Sequence, residues 1–583
     1  MIAVEPLYFA PGTAPERVCF GWLHHAKAGS DTAALICAPI GYEMVCTHRS
    51  MRVLAEGLAV AGVPAMRFDY DGVGDSAGGE RDADRVSAWL ASLREAERVL
   101  REKTGASRVV IVALRVGCAL ALEALPDMPN VTALVMLAPI SGPTFVRELQ
   151  AFARLSSDPA ELEWTEEGAQ VAGYWISRDA LDGLRQLGQR SWTNPGVRTL
   201  VIPRDDLASE DPRTTAQLAR YGLAPDVRNV TGYQCLMVDP HKSELSAGLR
   251  STIIEFCGAD ASDAPPLSRD VALPLAKAAS AMLNVDGTRV EEIVTRVGPD
   301  LVAVRTNPSQ GARSGTPLVV MLNAGAVHHI GVNRSHVILA RRLALLGTSS
   351  LRVDLEGLGD SAVGQGLVAP LLYSTRSLQS LVTTLAELRR ERAIVVIGLC
   401  AGAYAAYHAA LQSQVDGLIL INPQTFAFTE GDSLDVASHR SVYKEAANVR
   451  HSMYNLSSWK RLVHGQVNVA HSLRIVAHQR WLRARTRAQQ WLTQLGAIPA
   501  SEIERNLRKL AANRTNVRFI FSKTDPGLSY LDEVLSGRTQ LLVADGVVGL
   551  TTVDRADHTF TPRGTQDELL EVITSWLGSA FGV

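Results

Sequence analysis

The sequence lacks the features that would tie a protein to the cell exterior or to a membrane. Only seven of its 583 residues are cysteine. None of them forms a C-x-x-C pair or clusters with histidine at the spacing of metal ligands, so we expect reduced thiols in a cytoplasmic protein. The amino terminus has no basic segment followed by a long apolar run, and no stretch approaches the roughly 20 apolar residues of a membrane span. We therefore predict no signal peptide, no membrane span and no metal.

Charge is also scarce and balanced. Charged residues make up 20% of the chain and the formal net charge is −2, while hydrophobic residues make up 46%. These values are typical of an ordinary globular protein, and they give no reason to expect nucleic acid or lipid as a partner. A length of 583 residues exceeds what one core supports and suits two domains. We predict no cofactor, and the oligomeric state stays open.

The two halves of the chain repeat each other at a constant spacing. DYDGVGDS from Asp69 recurs as DLEGLGDS from Asp354, and ALRVG from Ala113 recurs as GLCAG from Gly398, so each pair is 285 residues apart. A long match without gaps indicates that a whole domain was duplicated. Four more residues of the first half have identical counterparts at this spacing: Arg49, Leu54, Gly62 and Arg67.

Both halves show the same coarse order of elements. Apolar runs of five to seven residues alternate with helical patterns, which indicates a mostly parallel sheet with helices on both faces. Each half also carries an insertion, at 142–196 and at 424–512, which we predict to be a helical lid. A stretch rich in Ala, Asp, Ser and Pro after residue 257 is typical of a linker. The sequence therefore predicts an α/β fold with domains at 1–262 and 263–583.

A candidate nucleophile lies in GLCAG of the second half. Gly398 and Gly402 flank Cys400 at two residues on each side, between an apolar strand and a helix of small residues. This pattern is typical of the sharp strand-to-helix turn that raises a nucleophile above a sheet. The backbone N–H of Ala401 would then begin the helix and stabilise an oxyanion. The alternative is a small buried cysteine between strand and helix.

An acid and a base follow in the order that such a nucleophile requires. Asp525 comes after a five-residue apolar strand, where Pro526 and Gly527 force a turn, and His558 comes after a short strand before the last helix. His558 would take the thiol proton, and Asp525 would hold the imidazole tautomer. The alternatives are a turn-capping aspartate and a surface histidine.

The loop LNAGAVHHIG follows the first strand that we predict in the second half. We predict that the backbone N–H of Gly325 or Ala326 supplies the second oxyanion donor. His328 and His329 lie in the same loop and are candidate pocket residues, although loop histidines are more often simply solvated.

The first half lacks a nucleophile. Arg115 occupies the position of the cysteine, stays protonated and cannot attack a carbonyl. Asp205 and His241 still lie in turns equivalent to the acid and the base. Arg115 would either bind a carboxylate or phosphate, or form a salt bridge with a local acid such as Asp71 or Asp75.

The DGxGDS turns bring carboxylates close together, which invites a catalytic or metal-binding interpretation. We favour a structural one, because the glycines permit a tight turn from strand to helix. Asp75 with Ser76, and Asp360 with Ser361, would then cap the next helix.

These motifs resemble the α/β-hydrolase superfamily over both halves except the insertions. The segments NAGAVHHIGVNR, LRVDLEGLGDS and GLCAGA of the second half, with RFDYDGVGDSAG and ALRVGCALA of the first, are most similar to serine aminopeptidase-like and exosortase-A-associated hydrolases. The resemblance implies two tandem α/β-hydrolase domains, the first degenerate and the second catalytic. It does not choose among esterases, thioesterases, peptidases and acyltransferases.

Cysteine at the nucleophile position favours thioester chemistry, because an S-acyl intermediate is close in energy to a thioester substrate. We expect a thioesterase or acyltransferase whose small-molecule acyl substrate is carried by coenzyme A or an acyl carrier protein. Basic residues between 439 and 487 would attract a phosphopantetheine arm, or they would only form a solvated helix face. Two alternatives remain: a simple carboxylesterase, and a non-catalytic scaffold that binds an acyl chain or a partner.

Overall fold

The computed structural model describes residues 3–27, 29–155, 165–190, 192, 196–206, 212–258, 275, 277–299, 301–361, 371–428 and 500–583. Contacts divide the chain into two compact units. The larger unit is formed by Met1–Leu372 with Thr561–Val583, and the smaller unit by Tyr373–Phe560. The predicted boundary between residues 262 and 263 lies outside the described residues, so the two domain limits stay predictions.

Most strands of the first half form one sheet. The strands of the first half are β1 (Val4–Phe9), β2 (Cys19–His24), β3 (Thr32–Cys37), β4 (Ala65–Asp69), β5 (Arg108–Leu114), β6 (Val131–Leu137), β7 (Gly168–Val171), β8 (Tyr174–Ser177), β9 (Arg198–Ile202) and β10 (Asp226–Val227), of which all but β7 and β8 belong to this sheet. The sheet order is β1-β2-β4-β3-β5-β6-β9-β10. The pairs β1–β2 and β2–β4 are antiparallel, and the pairs from β4 to β10 are parallel. The predicted mostly parallel sheet is confirmed.

Helices cover both faces of this sheet. They are α1 (Tyr42–Val60), α2 (Arg85–Thr104), α3 (Val116–Ala124), α4 (Gly142–Leu155), α5 (Arg178–Gln186), α6 (Pro212–Arg220), α7 (Tyr233–Leu236) and α8 (Ala247–Phe256). Along β5, Val109 and Ile111 pack into one apolar cluster, while Val110 and Val112 pack into another on the opposite face. A central strand buried on both faces reads as a continuous apolar run, which is why RVVIVAL shows no alternation.

The first insertion is not purely helical. Between α4 and α5 it contains the antiparallel hairpin of β7 and β8. Ala172 and Gly173 both have positive φ, at 48° and 86°, as a two-residue hairpin turn of the primed type requires. The Gly in VAGY was the available sequence signal for this hairpin.

The second half adds a further set of strands to the larger unit. Its elements there are β11 (Ala279–Val285), β12 (Thr288–Val297), β13 (Leu301–Pro308), β14 (Leu318–Leu322), α9 (Ser335–Leu345) and β15 (Ser350–Val353). Their order is β11-β12-β13-β15-β14. The pair β14–β15 is parallel and the others are antiparallel. This matches the order β1-β2-β4-β3 of the first half, with β11 added at the edge.

The smaller unit is built on a parallel sheet in the order β16-β17-β18-β19. Its elements are α10 (Thr375–Leu388), β16 (Ile394–Leu399), α11 (Ala401–Gln412), β17 (Gly417–Ile421), α12 (Glu502–Ala512), β18 (Asn516–Ser522), α13 (Pro526–Val534), α14 (Thr539–Ala544) and β19 (Gly549–Val553). The second predicted lid lies mostly outside the described residues, as does its basic segment.

The closing helix, α15 (Arg563–Phe581), belongs to the larger unit. No helix in the described ranges has the length and apolar character required to cross a membrane.

Buried ion pairs join residues of the two repeats within the larger unit. Arg67 Nη2 lies 2.7 Å from Asp360 Oδ1, and Arg352 pairs with Asp75. The spacing of 285 residues relates Arg67 to Arg352 and Asp75 to Asp360. The two ion pairs are therefore related by the repeat. In each copy the aspartate of the GDS segment, Asp75 or Asp360, pairs with an arginine of the other copy.

This arrangement corrects the expected role of the DGxGDS residues. Asp75 and Ser76 do not cap a helix, because α2 begins only after Asp84. Asp69 shapes the turn instead, since its carboxylate accepts a hydrogen bond from the Asp75 N–H at 2.9 Å, and its carbonyl accepts one from the Ser76 hydroxyl at 2.7 Å. In the second copy Asp354 accepts from the Asp360 N–H in the same way.

Candidate active site

Cys400 occupies a strained turn between β16 and α11. Its φ of 57° and ψ of −116° are costly for a residue with a side chain. A Cβ added to Gly398 would lie 2.1 Å from the carbonyl oxygen of Gly402, so glycine is required there. Arg115 has nearly the same conformation, with φ 55° and ψ −125°. Both copies therefore build the sharp turn, and only the second places a thiol on it.

Asp525 and His558 meet beside this turn. Asp525 follows β18 and precedes α13, and His558 lies between β19 and α15. The Nδ1 atom of His558 is 2.6 Å from Asp525 Oδ2. Asp525 Oδ1 accepts a hydrogen bond from the Gly527 N–H at 2.7 Å, which orients the carboxylate. Both side chains are buried, with exposed fractions of 9% for His558 and 0% for Asp525.

Electrostatics join Cys400 to this pair. Burial alone would lower the pKa of His558, but the charge of Cys400 and the hydrogen bond to Asp525 raise it to about 9. The Nε2 atom of His558 makes no hydrogen bond to any of the described residues. The structure thus brings together the three residues predicted as nucleophile, acid and base. Ala401 is the first residue of α11, so its backbone N–H belongs to the helix terminus that has no acceptor within the helix.

Two polar residues that the sequence analysis missed support the acid and the base. Gln424 Nε2 lies 3.2 Å from Asp525 Oδ1 and 3.3 Å from His558 Nδ1. Asn422 Nδ2 donates to the carbonyl oxygen of His558 at 2.8 Å, and Asn422 Oδ1 accepts from the Ser522 N–H at 2.9 Å. Asn422 follows the buried strand β17 directly, and Gln424 lies two residues further on. Polar residues just beyond the carboxyl end of a parallel strand were the signal that could have found them.

The imidazole of His558 should titrate with a midpoint near pH 9. Because the pKa of about 9 lies above the ordinary value of 6.5, the stabilising proton is held fully below pH 6.5 and is lost as the pH rises through 9. NMR of ¹⁵N-histidine-labelled protein between pH 5 and 10 measures it. Asp525→Asn should lower the midpoint by removing one cause of the increase. An unchanged midpoint in that variant would contradict the assignment.

The loop after β14 belongs to the larger unit. Gly325 has a φ of 57°, and Ala326 follows it. Upstream in this loop, the amide of Asn323 donates to Asp354 Oδ1 at 2.7 Å and to the Val327 carbonyl at 3.0 Å, while its oxygen accepts from the Leu355 N–H. The role of Gly325 or Ala326 as an oxyanion donor stays a prediction.

The two histidines predicted as pocket residues are buried in the larger unit. His329 lies between two carboxylates, 2.7 Å from Asp354 and 2.6 Å from Asp75. His328 stacks on His48 with ring centroids 3.8 Å apart. Neither histidine lines the cavity that surrounds Arg115. Their burial follows from pairing with charges and rings of the other copy, which no feature of the loop itself reveals.

His329, Asp354 and Asp360 stand close enough together to hold a metal ion. Charge argues against a cation there, because Arg67 already pairs with Asp360. Burial alone would lower the pKa of His329, but Asp75 and Asp354 hold it well above its ordinary value. Asp75, Asp354, Asp360, Arg67 and His329 therefore form a buried ion-pair network.

In the first half Arg115 forms salt bridges, but with other acids than expected. Its Nε lies 3.1 Å from Glu43 Oε1, and its Nη2 pairs with Glu148. Asp205 is exposed and accepts hydrogen bonds from the backbone N–H groups of Gly232, just before α7, and of Gln234 within α7. His241 is half-buried in the turn before α8.

Comparisons with known proteins match both halves to hydrolases. A family model described as "Alpha/beta hydrolase family" matches residues 319–571, a range that includes Cys400, Asp525 and His558. A model described as "Serine aminopeptidase, S33" matches residues 43–181, which include Arg115. No curated protein matches the chain.

Three solved structures similar to this chain each cover less than half of it. Est1E from Butyrivibrio proteoclasticus with ferulic acid bound is 16% identical, with 38% of this chain and 88% of that chain covered and a TM-score of 0.31. An esterase from Pyrococcus furiosus is 15% identical, with 44% of this chain and 90% of that chain covered and a TM-score of 0.30. A proline iminopeptidase-related protein from Thermus thermophilus is 18% identical, with 39% of this chain and 89% of that chain covered and a TM-score of 0.26.

The two family models agree with the sheet topology and with the sharp turn found in each copy. They also confirm the resemblance drawn from the DGxGDS and GLCAG motifs. The chain is therefore an enzyme of the α/β-hydrolase superfamily, with one matching region in each half.

Proposed function

We propose that the second half is a cysteine-dependent acyl-transfer enzyme, a thioesterase or acyltransferase that acts on an acyl thioester of coenzyme A or a carrier protein. The observation that carries this proposal is the position of Cys400. Its thiol stands on the strained turn after β16 and interacts with an imidazole that Asp525 orients. A cysteine that only filled the core would require neither the strained backbone nor the buried partner.

The proposed reaction begins from a thiolate and an imidazolium. In the proposed reaction Cys400 attacks as a thiolate, and His558, whose pKa is raised to about 9, holds its proton at neutral pH. The thiolate attacks the acyl carbonyl and forms a carbon–sulfur bond, and the Ala401 N–H stabilises the oxyanion. Collapse breaks the bond to the leaving thiolate, which takes the proton of His558. Neutral His558 then removes a proton from water or another acceptor, which attacks the S-acyl cysteine. The carbon–sulfur bond breaks, the acyl product leaves, and the Cys400 thiolate and the His558 imidazolium are restored.

Chemistry favours a thioester as the substrate. Exchange of one thioester for another is nearly balanced in energy, and a thiolate leaves more readily than an alkoxide. A carboxylesterase would use the same residues with an alcohol as the leaving group. Matched thioester and oxoester substrates with one acyl chain distinguish these two functions by their kcat/KM.

Acyl labelling tests the covalent step. Cys235 is exposed and Cys400 is half-buried, while the other five cysteines are buried. An electrophilic acyl probe at pH 7 should label Cys400 at least about tenfold faster than Cys235, because the thiolate is the reactive form. Mass spectrometry of peptides locates the label, and Cys235→Ala is the control variant that keeps Cys400 labelling.

Each other outcome assigns a different function. Labelling confined to Cys235 would contradict the covalent step and would favour a scaffold that binds an acyl chain or partner. Labelling of Cys400 without turnover of the thioester would retain the nucleophile and contradict the substrate class.

A further inference from the structure

The larger unit holds a cavity of about 380 Å³ at the degenerate site of the first half. Arg115, which stands on the sharp turn, lines it. Ile40 and Gly41 line it as well, and the spacing of 285 residues aligns them with Gly325 and Ala326. Ligand pockets in proteins begin at roughly 300 Å³. The first half has thus lost the nucleophile but has kept a space of ligand size.

Aromatic and aliphatic side chains form the walls. Helix α4 lines the cavity with Phe145, Glu148, Leu149 and Phe152, which share one face at helical spacing. Phe152 is 54% exposed and marks the mouth. Further lining side chains are large and apolar or aromatic: Met44, Trp89, Tyr174, Trp175 and Ile330. Such walls suit a hydrocarbon chain.

The polar end of the cavity holds one donor and one acceptor without partners. Arg115 is 2% exposed, and Glu43 and Glu148 occupy its Nε and Nη2. Its Nη1 has no hydrogen-bond partner among the described residues, and the same holds there for Glu43 Oε2. Leaving such buried groups unpaired is costly. A ligand group that accepts one hydrogen bond and donates another would satisfy both atoms.

The charges around this end favour an uncharged ligand. Arg115 already has two carboxylates within hydrogen-bonding distance, and Arg204 pairs with Glu148 at 3.2 Å and with Asp206 at 2.7 Å. A ligand carboxylate at this end would add a third anion beside Glu43 and Glu148. An amide or an alcohol brings the donor and the acceptor without the charge.

We propose that the first half binds an apolar chain that ends in an uncharged amide or alcohol, with the chain between α4 and the aromatic wall and the polar group at Arg115 and Glu43. At roughly 30 Å³ for each non-hydrogen atom, 380 Å³ accommodates about a dozen such atoms. The inference does not rest on the chemistry proposed for Cys400.

Calorimetric titration with decanamide and decanoate tests this site, since the two probes have the same size and differ in their end groups. The full-length chain carries Cys400→Ala, so that no acylation at the second site contributes. Decanamide should bind one saturable site at least about tenfold more tightly than decanoate, the equivalent of one good hydrogen bond. Phe152→Ala should weaken it about fivefold, and Leu541→Ala, an equally exposed apolar residue outside the cavity, should leave it unchanged.

Glu43→Gln tests the polar end of the cavity directly. It keeps the shape, removes one negative charge and turns the free acceptor into a donor, so decanoate should become the preferred ligand. Absence of saturable decanamide binding would overturn the proposal. So would tighter binding of decanoate to the chain that retains Glu43, or a decanamide affinity that neither Phe152→Ala nor Glu43→Gln changes.

Discussion

Cys400→Ala should lower kcat/KM for an acyl thioester by a factor on the order of 10⁴ or more, with the fold intact. Removal of the nucleophile from a triad-type site leaves only binding and oxyanion stabilisation. Alanine has the Cβ that this strained position already accommodates, so the turn at φ 57° should survive. Steady-state release of the free thiol measures the loss, and a thermal melt reports the fold.

Two further variants test whether this loss is specific to the thiol of Cys400. Cys400→Ser should lose most of the activity too, because a hydroxyl stays neutral and the charge that raises the pKa of His558 disappears. Cys235→Ala removes an exposed thiol in α7 and should leave kcat/KM unchanged. Activity of Cys400→Ala within about tenfold of the original chain would exclude a covalent step at this sulfur.

Arg352→Met should destabilise the protein by about 3–5 kcal/mol. Arg352 is fully buried, pairs with Asp75 and lies 3.3 Å from Glu292. Its loss removes one cation from a buried network in which Asp75 keeps His329 and Glu292 keeps Arg341. Removing one partner from a buried network costs far more than a surface ion pair contributes. Equilibrium unfolding in urea gives the change in the free energy of unfolding, provided that the transition is two-state.

An exposed ion pair provides the comparison. Arg190 and Asp127 have side-chain exposures of 42% and 37%, so Arg190→Met should cost less than about 1 kcal/mol. If Arg352→Met does not accumulate as folded protein, Arg352→Lys keeps the charge and should lose an intermediate amount. A loss for Arg352→Lys no greater than for Arg190→Met would show that the buried network contributes little.

This network explains how the two copies depend on each other within the larger unit. Each copy provides an aspartate that pairs with an arginine of the other copy: Asp75 pairs with Arg352, and Asp360 pairs with Arg67. The copy without a nucleophile therefore supplies buried counter-ions to the copy that has one. Substitutions that disrupt the first copy should therefore lower the free energy of unfolding of the larger unit, whether or not a ligand occupies the cavity.

The sequence by itself determined the duplication, the α/β class and the sharp turn at Cys400. These features are local. A strand buried on both faces reads as a continuous apolar run, as RVVIVAL in β5 does, and a strand-to-helix turn as tight as GLCAG requires glycine at Gly398, where a Cβ would meet backbone. The chain order of Cys400, Asp525 and His558 was also legible, because each follows its own strand.

Only the tertiary structure decided which side chains meet across the fold. Arg115 pairs with Glu43 and Glu148, which lie 72 and 33 positions away, and His329 contacts Asp75 at a separation of 254 positions. Periodicity and turn residues report the state of the backbone nearby, whereas these contacts depend on how helices and loops from distant parts of the chain converge. For the same reason the sequence did not predict the contact between Gln424 and Asp525, which forms only when β17 and β18 lie side by side.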